Sequence, residues 1–183
     1  YISKIGEHYY NFWRDEKNPR GLWRRTTLAR YRTENPEWET VLDLDALSTQ
    51  ENENWVWHGE TVLEPENRFC MLALSRGGAD ADVKREFDLH TKAFVNNGFF
   101  LPEAKSRFAW QGPDSAFVAT DFGPGSMTTS GYPRVVKEWQ RGTPLAEAKT
   151  VFEGKQEDMV ISAHRDLTPG FERDFIFRRP TFW

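Results

Sequence analysis

The chain has 183 residues, enough for a domain with a sizeable core, and its 38% apolar and 28% charged residues are ordinary for a globular chain. A formal charge of -4 supplies no basic field to neutralise nucleic-acid phosphates, and no apolar run approaches the roughly 20 residues that cross a bilayer, so neither nucleic acid nor membrane is an expected partner. The single cysteine, Cys70, excludes an intrachain disulfide; inside the apolar run RFCMLALS it reads as a small buried hydrophobe.

With 8 Trp, 14 Phe and 5 Tyr the chain is rich in side chains that fit pleated, half-buried surfaces, which favours strands. Tyr9 to Arg14 and Gly21 to Leu28 read as two strands joined by DEKNPRG, whose Asp15, Asn18, Pro19 and Gly21 are turn formers. Asn35-Pro36 breaks the chain before WETVLDL, and the polar stretch Asp45 to Asn54 reads as a short helix or a loop. Trp55 opens a block of four runs: WVWHGETVL, RFCMLALS, DVKREFDL and KAFV. They are separated by turns at Glu64-Pro65-Glu66-Asn67, Arg76-Gly77-Gly78 and Asp88 to Lys92. The stretch ADADVKREFDLHTKAF also places Val83, Phe87 and Phe94 at nearly helical spacing. The alternation of Val83, Arg85, Phe87 and Leu89, and the matching RVVKEWQR in the next block, favour a strand. That next block runs SRFAW, SAFVATDF, RVVKEWQRG and KTVF, with a turn at Gln111 to Asp114 and a long Gly, Pro, Ser and Thr-rich connection from Gly123 to Tyr132. From Asp158 a further block begins with DMVISAHRD and RDFIFRRPTFW.

These blocks repeat. RFCMLALS and SAFVATDF start near 69 and 115, and the tetrads WETVL, KAFV and KTVF start near 38, 92 and 149. A period of roughly 40–50 residues per four-strand unit marks a β-propeller blade. The expected fold is all-β: a partial, about three-blade segment of a propeller, with blades at 1–50, 51–97 and 98–155 and the start of another at 156–183. The first block reads as a front-truncated copy. The chain begins with Tyr1 and stops at Phe182-Trp183 inside a strand-like run, so both ends read as cut, and the compartment stays open between cytoplasm and periplasm. Closed propellers carry about 4–8 blades, so this segment is not expected to close on itself. Its outer blades should expose Tyr9, Phe12 and Trp13 at the front and Phe175, Phe177 and Trp183 at the end, and the segment is expected to self-associate or to be marginally stable.

Chemistry is sparse. Ala73-Leu74-Ser75-Arg76-Gly77 is the nearest approach to a nucleophile elbow, and Asp158 and His164 follow Ser75 in the hydrolase order of serine, acid and histidine. No alternation of strand and helix surrounds them, so Ser75 reads as a strand end before a Gly-Gly turn. His8, His58, His90 and His164 are scattered without metal-ligand spacing. GPGSMTTSG lacks the lysine and the strand-to-helix context of a phosphate loop. The sequence thus predicts no catalytic residue, no metal and no cofactor in this chain.

The order and wording of the blocks resemble the N-terminal propeller of prolyl oligopeptidase-type serine peptidases, most of all the bacterial members. The resemblance is carried by YNFWRDEKNPRGLWRRTTLARY with WETVLDLDAL, by ENWVWHG, by LSRGGADADVKREFDL, by GFFLPEAKSRFAW and by ATDFGPGSMTTSGYPR, and it covers essentially the whole chain. It implies a seven-bladed propeller packed on a C-terminal α/β-hydrolase domain that holds a Ser-Asp-His triad. That propeller covers the active site, limits entry to short peptides and lends a few side chains to the substrate cavity; cleavage follows proline. No G-x-S-x-G occurs here, so the hydrolase domain is expected to lie outside this chain, and only propeller positions carry over. Lys105, at the start of the KSRFAW strand, falls where the family places a cavity-facing and often aromatic side chain, and Arg76 in the turn SRGG is a second substrate-binding candidate. The implied partners are short peptide substrates and the protein's own hydrolase domain. The alternative is a non-catalytic propeller that binds a protein or peptide.

Overall fold

The computed structural model describes residues 1–182. Strand follows strand in antiparallel pairs, because the apolar and aromatic runs alternate in character and are punctuated by turn residues. The first sheet holds β1 (Ser3–Ile5), β2 (His8–Trp13), β3 (Leu22–Thr27) and β4 (Glu39–Asp43), in that order. The block read as front-truncated is therefore complete. Its first strand is only the three residues SKI, too short to show a period. Gly21 opens β3 with φ of +113°, and a Cβ there would stand 2.4 Å from the Phe12 ring, so the turn requires glycine.

A single helical turn, α1 (Leu28–Tyr31), follows β3, and α2 (Leu44–Glu51) follows β4. Asp43 caps α2 by accepting from the Ala46 N–H at 2.9 Å, and Asn52 ends it in the left-handed region at φ 50°. This helix fills the polar stretch read as a short helix or a loop.

The second sheet contains β5 (Trp55–Val62), β6 (Phe69–Arg76), β7 (Asp82–Asp88), β8 (Ala93–Phe94) and β9 (Phe100–Ala104). Residues 82–88 form a strand, which decides between the two periodicities seen there. β8 and β9 pair with opposite ends of β7: Phe87 faces Phe94 and Asp88 faces Ala93, while Arg85 faces Phe100 and Lys84 faces Leu101. The two are one outer strand interrupted by an excursion around Glu86. The Glu86 carboxylate is fully buried; it accepts from the Phe99 N–H at 2.7 Å and from both ends of the Arg141 guanidinium at 2.8 and 2.9 Å. A Cβ on Gly98 would lie 2.8 Å from that carboxylate, so glycine lets the chain pass. Residues 100–104, assigned by sequence to the third block, thus pair with the second sheet, and that sheet runs to Ala104 rather than stopping at 97.

The third sheet is β10 (Arg107–Gly112), β11 (Ser115–Ala119), β12 (Val135–Gln140) and β13 (Lys149–Glu153), in sequence order. A two-stranded sheet, β14 (Val160–Asp166) with β15 (Arg173–Arg179), follows. Among the described residues no helix is long and apolar enough to cross a membrane.

Alternation along each strand sorts side chains to the two neighbouring sheets. From β6, Cys70 and Leu72 join Tyr10, Trp23 and Phe87 against the first sheet, and Met71 points the other way, toward Phe99, Phe108, Trp110 and Trp139. Phe12 stacks on Trp57 with ring centroids 5.2 Å apart. Phe99 meets Phe108, Trp110 and Trp139 edge-on at 5.8, 5.7 and 4.8 Å. Leu44 and Leu47 of α2 cover Trp55, Leu74 and Val83. Ile161 of β14 enters between Ala109, Phe117 and Val136 of the third sheet. Each such ring or branched chain removed from water contributes about 1.5–3 kcal/mol, and these interfaces hold the sheets face to face as blades.

Of the aromatic residues expected at open faces, Trp13 is 41% exposed, Phe175 41% and Phe177 54%. Phe12 is half-buried beneath Trp57, and Tyr9 is half-buried against Tyr31. Trp183 lies outside the described residues.

Candidate functional site

The registers place Trp55 opposite Arg76 and Asp82 opposite Ala104, so the turn after β6, the link from β9 to β10 and the chain entering β5 share one edge of the second sheet. Both cations singled out from sequence stand on this edge. Arg76 donates to Glu53 at 2.6 Å and to Glu103 at 2.8 Å, with its guanidinium 4.9 Å from the centre of the Trp55 ring. Lys105, between β9 and β10, lies 3.2 Å from Asp80 and 4.7 Å from the centre of the Tyr132 ring. They share the edge and no partner. Arg76 is pinned from two sides, and Lys105 has one exposed carboxylate beside it.

Behind this edge, between β5, β7 and β10, lies a cavity of about 260 Å³ that the sequence did not reveal. Asp82 stands in its wall between two bases: it takes the Lys84 ammonium on one oxygen and has His58 Nδ1 3.5 Å from the other. Burial pushes the Lys84 ammonium below its ordinary value, against the pull of Asp82, and the nearby Arg107 charge acts in the same direction as burial. The Ser106 hydroxyl, of a residue also in the wall, is buried and has no hydrogen-bond partner among the described residues. Nothing in the sequence marks Lys84 or Ser106 apart from other polar residues. A larger open groove of about 620 Å³ runs toward the opposite edge, between β5, β10 and β14, with His164 and Arg165 on one wall.

The residues that spell a triad in sequence do not form one. The Ser75 hydroxyl is buried and donates to the Ala79 carbonyl at 2.7 Å. Asp158 accepts two bonds from Arg178, at 2.8 and 2.9 Å, and one from the Lys155 N–H. Ser75 lies on β6 and is engaged by the turn that follows it, whereas Asp158 precedes β14 and is engaged by Arg178 of β15. Burial pushes the Cys70 thiol well up, away from nucleophilic use. In GPGSMTTSG the Ser126 hydroxyl donates to the Gly123 carbonyl and the Thr128 N–H to the Tyr132 carbonyl, so the loop bonds to itself. Among the described residues no group of three metal-ligating side chains gathers.

Comparison with known proteins agrees with this architecture. The family model described as prolyl oligopeptidase, N-terminal beta-propeller domain, matches residues 2–167. An uncharacterised peptidase of Sinorhizobium fredii is 42% identical over 166 residues, which are 91% of this chain and 23% of that protein. An uncharacterised peptidase of Rickettsia prowazekii is 34% identical over 179 residues, 93% of this chain and 25% of that protein. The solved structure of a post-proline cleaving enzyme from Rickettsia typhi superposes with a TM-score of 0.90 at 32% identity, covering 98% of this chain and 27% of the other. The chain thus spans about a quarter of the length of the relatives it matches. Two four-stranded sheets packed on either side of a five-stranded one, with a further hairpin, agree with that match, and the chain belongs to the prolyl oligopeptidase N-terminal β-propeller family.

Proposed function

We propose that this chain works as the propeller portion of a proline-cleaving serine peptidase, where it filters peptides by size before they reach a hydrolase domain outside the chain. The observation that carries this reading is the match of an all-β blade array to the propeller of peptidases about four times its length, joined to the lack of any assembled nucleophile among the described residues. The blade edges then form a rim that excludes large substrates by shape. On this reading Lys105, beside Tyr132, meets passing peptide at the rim, and Arg76 stiffens the same rim through Glu53 and Glu103.

The test uses the intact reading frame and a series of proline-containing peptides of rising length. kcat/KM is expected to fall as the peptide outgrows the rim, and folded proteins should resist cleavage. Equal turnover of short peptides and folded proteins would remove the filter. No turnover at all, with tight binding of a protein or peptide, would favour a non-catalytic propeller.

A further inference from the structure

We propose that the cavity between β5, β7 and β10 is a carboxylate-binding subsite, in which Arg107, the Ser106 hydroxyl and Lys84 receive the free carboxylate of a peptide. The proposal rests on the peptide-processing reading above and names the chemistry that this part of the propeller selects.

Three donor-bearing residues line one small space. Buried hydroxyls almost always find a partner, and the Ser106 hydroxyl, in a residue 1% exposed, has none among the described residues. Its neighbour Arg107 donates only to the Ser106 carbonyl, at 3.3 Å, and rests 5.6 Å from the centre of the Tyr132 ring. Among the described residues no carboxylate stands within ion-pair distance of it. Lys84 has Asp82 on one side and the Arg107 charge nearby, and its ammonium is largely buried.

The acids in the wall do not compete strongly for a guest. Asp82 is already taken by Lys84, with His58 next to it. Glu60, on β5, has its carboxyl pushed up by burial, which favours the uncharged form relative to an exposed glutamate. An arriving carboxylate would accept from the planar fork of Arg107 and from the Ser106 hydroxyl together, a charge-assisted pairing that a neutral acceptor makes more weakly and a cation cannot make. The space itself, about 260 Å³, lies just under the roughly 300–1,000 Å³ of sites that hold drug-sized ligands, so it admits a carboxylate and the residue that bears it. Met71 and Phe108 supply an apolar wall for that residue.

The carboxylate has two sources, the C-terminus of a peptide or an acidic side chain. Calorimetric titration of the chain at low salt separates them. The probes are the tripeptide Ala-Pro-Ala as free acid, the same peptide as its amide, and Ala-Pro-Glu-Ala amide. The free acid is expected to bind about tenfold or more tighter than its amide, the scale of one charge-assisted bond. Arg107→Met should abolish that preference and Ser106→Ala should weaken it. Arg107 is exposed and Ser106 lacks a partner, so both variants should keep the melting temperature of the parent chain. Tight binding by the glutamate-bearing amide would assign the site to any carboxylate, and weak binding would assign it to the terminus alone. Equal binding of acid and amide, or a preference that survives in Arg107→Met, would overturn the proposal. The titration needs no turnover. An intact protein that cleaves nothing while this preference persists would refute the peptidase reading and leave the subsite standing.

Discussion

The second sheet and the final hairpin are both built from antiparallel strand pairs and have opposite burial. β14 and β15 pair without a break at seven successive positions, from Val160–Arg179 to Asp166–Arg173. Yet every residue of β15 is exposed, and of β14 only Ile161 is fully buried. β6 pairs no better with its neighbours, but Cys70, Met71, Leu72, Leu74 and Ser75 are almost wholly buried, because sheets cover it on both faces. Strand pairing sets the shape of a blade, and packing between blades supplies its stability; hydrogen bonds alone contribute modestly, since water offers the same bonds to an unpaired strand. The second sheet is also where charges become structural. Glu86 and Arg141 tie it to the third sheet, and it is tied to the first by Arg25 donating to the Leu89 carbonyl and by Lys92 pairing with Glu39.

The sharpest way to break this contrast is to remove Arg141. Arg141→Met leaves the buried Glu86 carboxylate without its counter-charge and should cost about 3–5 kcal/mol, lowering the urea midpoint with little change in slope. A loss below about 1 kcal/mol, the range of exposed pairs, would mean that the second and third sheets are joined by their aromatic contacts alone.

A smaller effect is expected at the first interface on acidification. Hydrogen bonds from Arg25 and Lys92 hold the Glu39 carboxyl down at about 2, against an ordinary 4.5. The folded value lies below the unfolded one, so this contribution is complete above about pH 4.5 and is lost as pH falls toward 2. Chemical denaturation of Glu39→Gln across that window should show a shallower loss than the parent chain; identical profiles would assign acid sensitivity to other groups. The smallest change in stability is expected on β15, where Phe177→Ser should stay within about 0.5 kcal/mol of the parent. It should nevertheless reduce association in sedimentation runs across a concentration series, because Phe175 and Phe177 form an exposed stacked pair on an edge strand. A parent chain that is monomeric at every concentration would show that this face is not sticky.

The order of the strands was legible in the sequence, because turn residues and alternation mark them independently. The apolar runs at Trp55, Phe69 and Ser115 each became a strand, and WETVL and KTVF became outer strands. What escaped was whatever depends on distant partners. The outer strand of the second sheet is split around Glu86, which in DVKREFDL looks like any solvated charge until Arg141, 55 positions later, closes on it. β1 escaped because three residues carry no period. The site was legible only in part. Arg76 in its turn and Lys105 at a strand start could be singled out in the sequence, but their shared edge and their carboxylates Glu53, Glu103 and Asp80 could not. Nothing in KSRFAW distinguishes a buried, unpartnered Ser106 from an exposed one.

The central claim is that this chain shapes access for a catalytic centre that it does not itself contain. An active-site serine probe, applied to the chain and to the intact reading frame and followed by peptide mapping, tests it most directly. The account predicts no labelled serine within residues 1–183 in either sample, no turnover of a proline-containing chromogenic peptide by the chain alone, and a labelled serine elsewhere in the intact protein. Labelling of Ser75, with turnover that disappears in Ser75→Ala, would contradict it.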